Sequence, residues 1–84
     1  MTIIPTEGKN PRVHSNFFAV TTSDTVNFKN EASLYIGVTG NVVAVGRDDV
    51  AVTFIGVPAG TILNINAIRV NATSTTATNI VGLY

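Results

Sequence analysis

The sequence contains no cysteine and no tryptophan, and His14 is its single histidine. The lack of cysteine excludes disulfides and thiolate metal sites, and one histidine gives little basis for a structural metal. A chain of 84 residues forms one domain, which buries only roughly 60–65% of its unfolded surface and usually needs a disulfide, a metal or a partner. Association with a partner is therefore the expected source of extra stability.

Charged residues are scarce as well. They make up 12% of the chain, and five basic and five acidic side chains give a net charge of zero. This composition lacks the basic surface of a nucleic-acid-binding protein, so no nucleic-acid partner is predicted. No apolar run approaches the roughly 20 residues of a membrane-spanning helix, and the N-terminus lacks the charged and apolar regions of a signal peptide. No membrane partner is predicted either.

No arrangement of residues supports catalysis. His14 lies in the N-terminal segment, and Asp48 and Asp49 are chain neighbours, as expected for a solvated turn rather than a carboxylate pair. The sequence has neither the G-x-S-x-G motif of α/β-hydrolases nor a glycine-rich phosphate-binding loop. We therefore predict that the chain is not an enzyme and that it has no catalytic residues, metal ligands or cofactor.

The apolar residues, which make up 45% of the chain, follow the pattern of β-strands. Residues 34–38 alternate between apolar and other side chains, which is typical of a half-buried strand. Residues 42–45 are all apolar, and the two segments are predicted to be strands of a hairpin joined at Thr39-Gly40. Because residues 42–45 do not alternate, this strand should be covered on both faces, by the core on one side and by a neighbour on the other.

Further strands are predicted at residues 17–21, around Val26 and Phe28, at residues 51–55 and at residues 79–84. In the longest candidate, residues 61–72, the apolar alternation shifts by one position near Ala67-Ile68. Such a shift indicates either a β-bulge or a strand that passes from one sheet to another.

These patterns predict an all-β fold, a small antiparallel β-sandwich or β-barrel of six to eight strands. The predicted domain organisation is a single β-domain at residues 17–84 preceded by an extended N-terminal arm at residues 1–16. The arm is predicted because Pro5 and Pro11 restrict the residues before them to extended geometry, and Gly8 interrupts any periodicity. Two interpretations of it stay open: a frayed terminus, or an arm that becomes ordered against a partner.

Short motifs distributed over residues 18–84 also resemble those of a known family. In chain order they are Phe18-Ala19-Val20-Thr21, Ser23-Asp24, Leu34-Tyr35-Ile36-Gly37, Gly40-Asn41-Val42, Val52-Thr53-Phe54, Gly56-Val57-Pro58-Ala59-Gly60-Thr61, Leu63, Arg69-Val70, Ala72-Thr73, Thr75-Thr76-Ala77-Thr78 and Ile80-Val81 before the terminal aromatic residue. Their order and spacing resemble the spike-base and head decoration proteins of gene transfer agents and tailed-phage capsids.

The resemblance implies a structural virion protein on the outer surface of an icosahedral bacteriophage-type capsid, assembled in the host cytoplasm. Such a protein binds the major capsid protein, either as a decoration or cement protein that stabilises the capsid or as the base of a head spike or fibre. A homo-oligomer is expected, and a trimer and a pentamer both suit this role because heterologous rings of either size close.

Two groups of residues are candidates for these contacts. The candidate capsid-binding arm residues are Pro5, Lys9, Pro11 and Arg12. The candidate interface, where burial of apolar strand and backbone pairing along strand edges would drive association, consists of Val43, Val45, Ile55, Ile68, Arg69, Val81, Leu83 and Tyr84.

Two interpretations remain open at individual residues. Arg69 is a charge inside an apolar strand, and it is expected either on an exposed face or paired with a carboxylate across an interface. Tyr35 and Tyr84 could form a sugar-binding platform, so the alternative function is a small carbohydrate-binding module on the phage surface.

Overall fold

The computed structural model describes residues 14–84. The strands are β1 (Phe17–Ala19), β2 (Ala32–Val38), β3 (Gly40–Val45), β4 (Ala51–Val57), β5 (Ile62–Ala67), β6 (Arg69–Val70) and β7 (Thr78–Leu83), and these residues contain no helix. The strands form two antiparallel sheets, sheet A in the order β1-β7-β2-β5 and sheet B in the order β4-β3-β6. The predicted all-β fold of six to eight strands is confirmed.

The hydrophobic core lies between the two sheets. Sheet A contributes Leu34 and Ile36, sheet B contributes Val42 and Val70, and all four side chains are fully buried. Burial of each such side chain stabilises the fold by about 1.5–3 kcal/mol before the entropy cost of ordering it. The core therefore depends on contacts between the sheets, and neither sheet forms it alone.

The predicted hairpin at Thr39-Gly40 is wrong. Strand β2 pairs with β5 and β7 in sheet A, whereas β3 pairs with β4 and β6 in sheet B, so the chain crosses between the sheets at Thr39. The Thr39 hydroxyl oxygen accepts a 2.8 Å hydrogen bond from Ala59 N–H, which ties this crossing to the one between β4 and β5. Because both strands carry core residues, placing them in opposite sheets lets their apolar faces bury each other.

The alternation shift near Ala67-Ile68 marks a change of sheet. Strand β5 ends at Ala67 in sheet A, and β6 begins at Arg69 in sheet B. Ile68 lies between them, and its N–H donates a 2.8 Å bond to the carbonyl of Val45 in sheet B. Of the two predicted explanations, the transfer between sheets is the correct one.

Residues 20–31 form no strand, so the predicted short strand around Val26 and Phe28 is wrong. Ser23 Oγ accepts hydrogen bonds from two following backbone N–H groups, at 3.2 and 3.0 Å, and such local turns compete with an extended ladder. The segment instead covers the outer edge of β6, because Ser23 N–H and Phe28 N–H donate to carbonyls in and next to that strand at 2.9 and 2.7 Å.

Strand β3 is buried on both faces, as its continuous apolar run predicts. Val42 and Ala44 belong to the core, whereas Val43 and Val45 point away from it and are still only 7% and 0% exposed. On that outer side, Arg69 pairs directly with Val45. The chain itself buries this strand, which corrects the expectation that a neighbouring subunit covers it.

Candidate interaction surface

The outer face of sheet A carries two rows of side chains that turn away from the core. In one row, Val81 of β7 lies opposite both Ala19 of β1 and Tyr35 of β2, and Tyr35 lies opposite Ile62 of β5. Residues directly opposite in antiparallel strands point to the same face, so the four side chains form a continuous row across the sheet. In the second row, Leu83 lies opposite Phe17 and Ser33.

These two rows form a surface that we call the uncharged face. Its most exposed members are apolar or aromatic: Phe17 is 72% exposed, Ile62 49% and Tyr35 37%. An exposed apolar patch of this kind marks an interaction site more often than a free surface. The complete set is Phe17, Ala19, Ser33, Tyr35, Ile62, Val81 and Leu83, and none of these side chains is charged.

A second apolar region lies where the two sheets separate, between β4 and β5. Both are edge strands of their sheets, whereas the other edge of sheet B is covered by residues 20–31. Between them is an open cleft of about 190 Å³ whose apolar lining includes Val50, Val52, Phe54 and Ile65. Val50 and Val52 are 54% and 53% exposed, so this side of the sandwich is not closed by the described residues.

A β-bulge near the C-terminal end of β4 alters the pairing of this strand with β3. The register with β3 shifts between Gly40 and Val42, where three residue steps on β4 match two on β3. Gly56 provides the required backbone, with φ of 64°, and its N–H donates a 2.9 Å bond to Asn41 Oδ1. Ile55, beside the bulge, is 80% exposed and forms a separate apolar projection.

Arg69 has its polar partners within the described part of the chain. Arg69 donates to Asn27 Oδ1 at 2.8 Å and Asn71 Oδ1 at 3.0 Å, and it lies 3.7 Å from Asp49 Oδ1. Its side chain is only 16% exposed. Arg69 therefore contacts a carboxylate of its own chain and is not a free partner for a carboxylate across an interface.

Two further carboxylates have lowered pKa values because hydrogen bonds favour their charged forms. The hydroxyl and backbone N–H of Thr73 donate to Asp24 at 2.6 and 2.9 Å, and the hydroxyl bond is the largest cause of the lowered Asp24 pKa. Arg47 donates to Glu31 at 2.9 and 2.7 Å and lowers the Glu31 pKa in the same way. Both pairs are at the surface, and they link loops to one another rather than forming a reactive site.

The structure distributes the predicted interface residues over several regions. Val81 and Leu83 lie on the uncharged face, Ile55 projects from β4, and Ile68 and Arg69 lie at the change of sheet. Val43 and Val45 are buried within the chain, so we do not retain them as contact residues. The four arm residues, Pro5, Lys9, Pro11 and Arg12, lie outside the described residues.

The interface predicted from the sequence lacks three exposed members of the uncharged face, Phe17, Tyr35 and Ile62, although the sequence makes Tyr35 a candidate for sugar binding. Each occurs in a predicted strand, but the strand order that places them side by side is not visible in the sequence. Phe17 and Ala19 alternate with Phe18, and this alternation could have indicated that Phe17 faces outward.

The two tyrosines do not form one sugar-binding platform. Tyr35 lies on the outer face of sheet A, opposite Val81. Tyr84 packs edge-on against Phe18 with ring centroids 5.9 Å apart, and Phe18 pairs with Gly82 on the inner side of the same sheet. The structure therefore removes the specific arrangement on which the carbohydrate-binding alternative rested.

Two features are absent from residues 14–84. No helix in this range is long and apolar enough to cross a membrane. No group of three or more His, Cys, Asp or Glu side chains in it is arranged to hold a metal ion.

Comparison with known proteins identifies one informative structural neighbour. No protein-family model and no curated protein sequence matches the chain. Among solved structures, it is similar to a chain of the "Capsid of native GTA particle computed with C5 symmetry". The chain shares its fold with a capsid-particle component. The match covers 100% of both chains with 27% sequence identity and a TM-score of 0.83, and it supports the resemblance to capsid proteins of gene transfer agents (GTA) and phages.

Proposed function

We propose that this chain is a structural, non-enzymatic component of a gene transfer agent or phage capsid. It binds the major capsid protein on the outer surface of the head, either as a decoration or cement protein or as the base of a head spike or fibre. The observation that carries this proposal is the full-length match to a chain of a native GTA capsid. A small, neutral β-domain with an exposed apolar sheet face suits such a role.

The uncharged face supplies the first contact surface. Because it has no charged side chains, docking requires no ion to be removed from water, and burial of Phe17, Tyr35 and Ile62 provides the driving force. A complete burial of one such side chain contributes about 1.5–3 kcal/mol. Val81 and Leu83 lie between these residues. They add contacts to the surface although each is only partly exposed.

The size of this face indicates that a second contact is needed. Four strands of three to seven residues, spaced about 4.8 Å apart, offer on the order of 300–400 Å² on one face. A standard interface buries about 800 Å² on each partner. The N-terminal arm is the natural source of the remainder, and we propose that Pro5, Lys9, Pro11 and Arg12 contact the capsid.

Self-association in a ring, as a trimer or pentamer, is part of the proposal. Ile55 and Tyr84 remain available for contacts between copies because they are 80% and 42% exposed. A heterologous contact between two different patches closes into a ring when the rotation between copies allows it.

Mass spectrometry of density-purified particles tests the proposal. We expect the chain to co-purify with the major capsid protein in a fixed ratio. A high copy number supports decoration or cementing, and a few tens of copies per particle support a spike base confined to vertices. Absence of the chain from purified particles would reject the capsid role.

A further inference from the structure

The open cleft has two features of a site for an extended peptide. Its walls are formed by β4 and β5, and each is the last strand of its sheet, so among residues 14–84 neither has a strand partner on this side. Edge strands with free backbone groups bind extended segments by main-chain pairing, while side-chain pockets select the sequence. The pocket here is apolar and is lined by Val50, Val52 and Phe54.

We propose that this cleft binds the N-terminal residues 1–4 of a second copy of the chain. The inference goes beyond the capsid role, because it concerns contact between copies and does not depend on which capsid protein is bound. It assigns Ile3 and Ile4 to the apolar cleft and makes the N-terminal segment the link between neighbouring domains.

The chemistry of the segment matches that of the cleft. Ile3 and Ile4 are adjacent apolar residues near the start of the chain, and the segment that follows contains Lys9 and Arg12 against one acidic residue, Glu7. The exposed Asp48 is among the residues that line the cleft, and Asp49 is next to it in the chain. The apolar end of the segment therefore fits the apolar cleft, and the excess of basic residues that follows it is compatible with the acidic Asp48 at the cleft.

The position at which the segment leaves the domain favours a neighbouring copy. Asn16 and Tyr84 exchange backbone hydrogen bonds of 3.0 and 2.8 Å, so the chain still follows the direction of β1 at Asn16. Strand β1 and strand β5 are opposite edges of sheet A, about 14 Å apart across three strand spacings. To reach its own cleft, the segment would have to turn and cross the whole sheet, whereas continuing along β1 leads it away from its own domain.

The length of the segment is sufficient for this link. Residues 1–13 span at most about 43–47 Å when fully extended. This reach is about three times the width of sheet A estimated above, so the segment can pass from one domain to the cleft of the next.

The absence of cysteine allows a direct test by disulfide cross-linking. Purified protein carrying Ile3→Cys is mixed with protein carrying Val52→Cys, oxidised mildly and separated without reductant. We expect a disulfide-linked dimer of the two variants. The matched control replaces Val52→Cys by Val26→Cys, because Val26 is also an exposed valine, at 67%, but lies in the segment that covers the opposite edge of sheet B.

The outcomes separate the possible occupants of the cleft. At least fivefold more dimer with Val52→Cys than with Val26→Cys supports the proposal. Equal yields, or no dimer with either, overturn it. A chain that carries both Ile3→Cys and Val52→Cys and forms only an internal disulfide would also overturn it in favour of the chain's own segment. Failure of the capsid role would appear separately, as absence of the protein from purified particles.

Discussion

Tyr35 of β2 lies directly opposite Val81 of β7 on the outer face of sheet A, and Ile62 continues the same row on β5. These residues are far apart in the chain, yet the strand order makes them one apolar row. The same face ends in Phe17 at the opposite edge of the sheet. This arrangement gives the domain a flat, uncharged surface that its own core does not use.

The exposed Phe17 provides the sharpest test of the uncharged face. We expect Phe17→Asp to weaken binding to capsids by at least about tenfold, because burying this ring contributes about 1.5–3 kcal/mol and 1.4 kcal/mol is a factor of ten. Binding is measured by adding the purified variant to particles that lack the protein. Val26→Asp is the matched control, since Val26 is 67% exposed and lies away from this face. Equal losses for the two variants would contradict the assignment.

Substitution of Val43 should affect folding, in contrast to substitution of Ile55. Val43 is 7% exposed and Ile55 is 80% exposed. We expect Val43→Lys to lower the free energy of unfolding by at least about 2 kcal/mol, because it places an unpaired ammonium group in a buried site. Ile55→Lys should change it by less than about 0.5 kcal/mol. Denaturant unfolding measures both values, and similar stabilities for the two variants would show that Val43 is accessible.

The contact between Phe18 and Gly82 limits position 82 to glycine. A Cβ atom at Gly82 would lie 2.4 Å from the Phe18 ring, which also packs against Phe28 with ring centroids 5.1 Å apart. We therefore expect Gly82→Ala to destabilise the fold by about 1–3 kcal/mol through overpacking. Adding Phe18→Leu should recover part of this loss, because the shorter side chain leaves room for the methyl group. Strictly additive effects in the double variant would argue against a direct clash.

Acid should weaken the link between Asp24 and Thr73. The pKa of Asp24 is held below its ordinary value of 3.8, chiefly by the Thr73 hydroxyl. A carboxyl whose pKa is lower in the folded state stabilises the fold above its unfolded pKa and loses this contribution as the pH falls through the folded pKa. We expect Asp24→Asn to lower Tm at pH 7 and the difference from the unmodified protein to shrink below pH 3.8. A difference that is constant with pH would exclude this linkage.

Local patterns in the sequence were sufficient for part of the fold. Alternation and β-branched runs predicted most of the strands and the all-β fold, and the shift near Ala67-Ile68 correctly indicated a change of sheet. Local patterns gave a wrong prediction where the same sequence is compatible with two structures. The segments on either side of Thr39 are compatible with a hairpin or with a crossing between sheets. Only the crossing places the apolar faces of the two strands opposite each other across the core.

The same limit applies to the candidate surface. Val43 and Val45 look like surplus apolar residues in the sequence, but they are covered by other parts of their own chain. Phe17, Tyr35 and Ile62 look like ordinary strand residues, and their joint exposure follows from the β1-β7-β2-β5 order. Which apolar residues are left exposed is a property of strand order, because each strand is buried or exposed according to its neighbours.

Composition and alternation are enough to specify a small, neutral β-domain with more apolar strand than charge, because both act residue by residue. Its motifs also determined the resemblance to capsid proteins. The tertiary structure decided which strands pair, which apolar residues form the core and which remain on the uncharged face and in the open cleft. These properties depend on contacts between segments that are distant in the chain. Each segment is compatible with several structures, and the packing of the whole domain favours one of them.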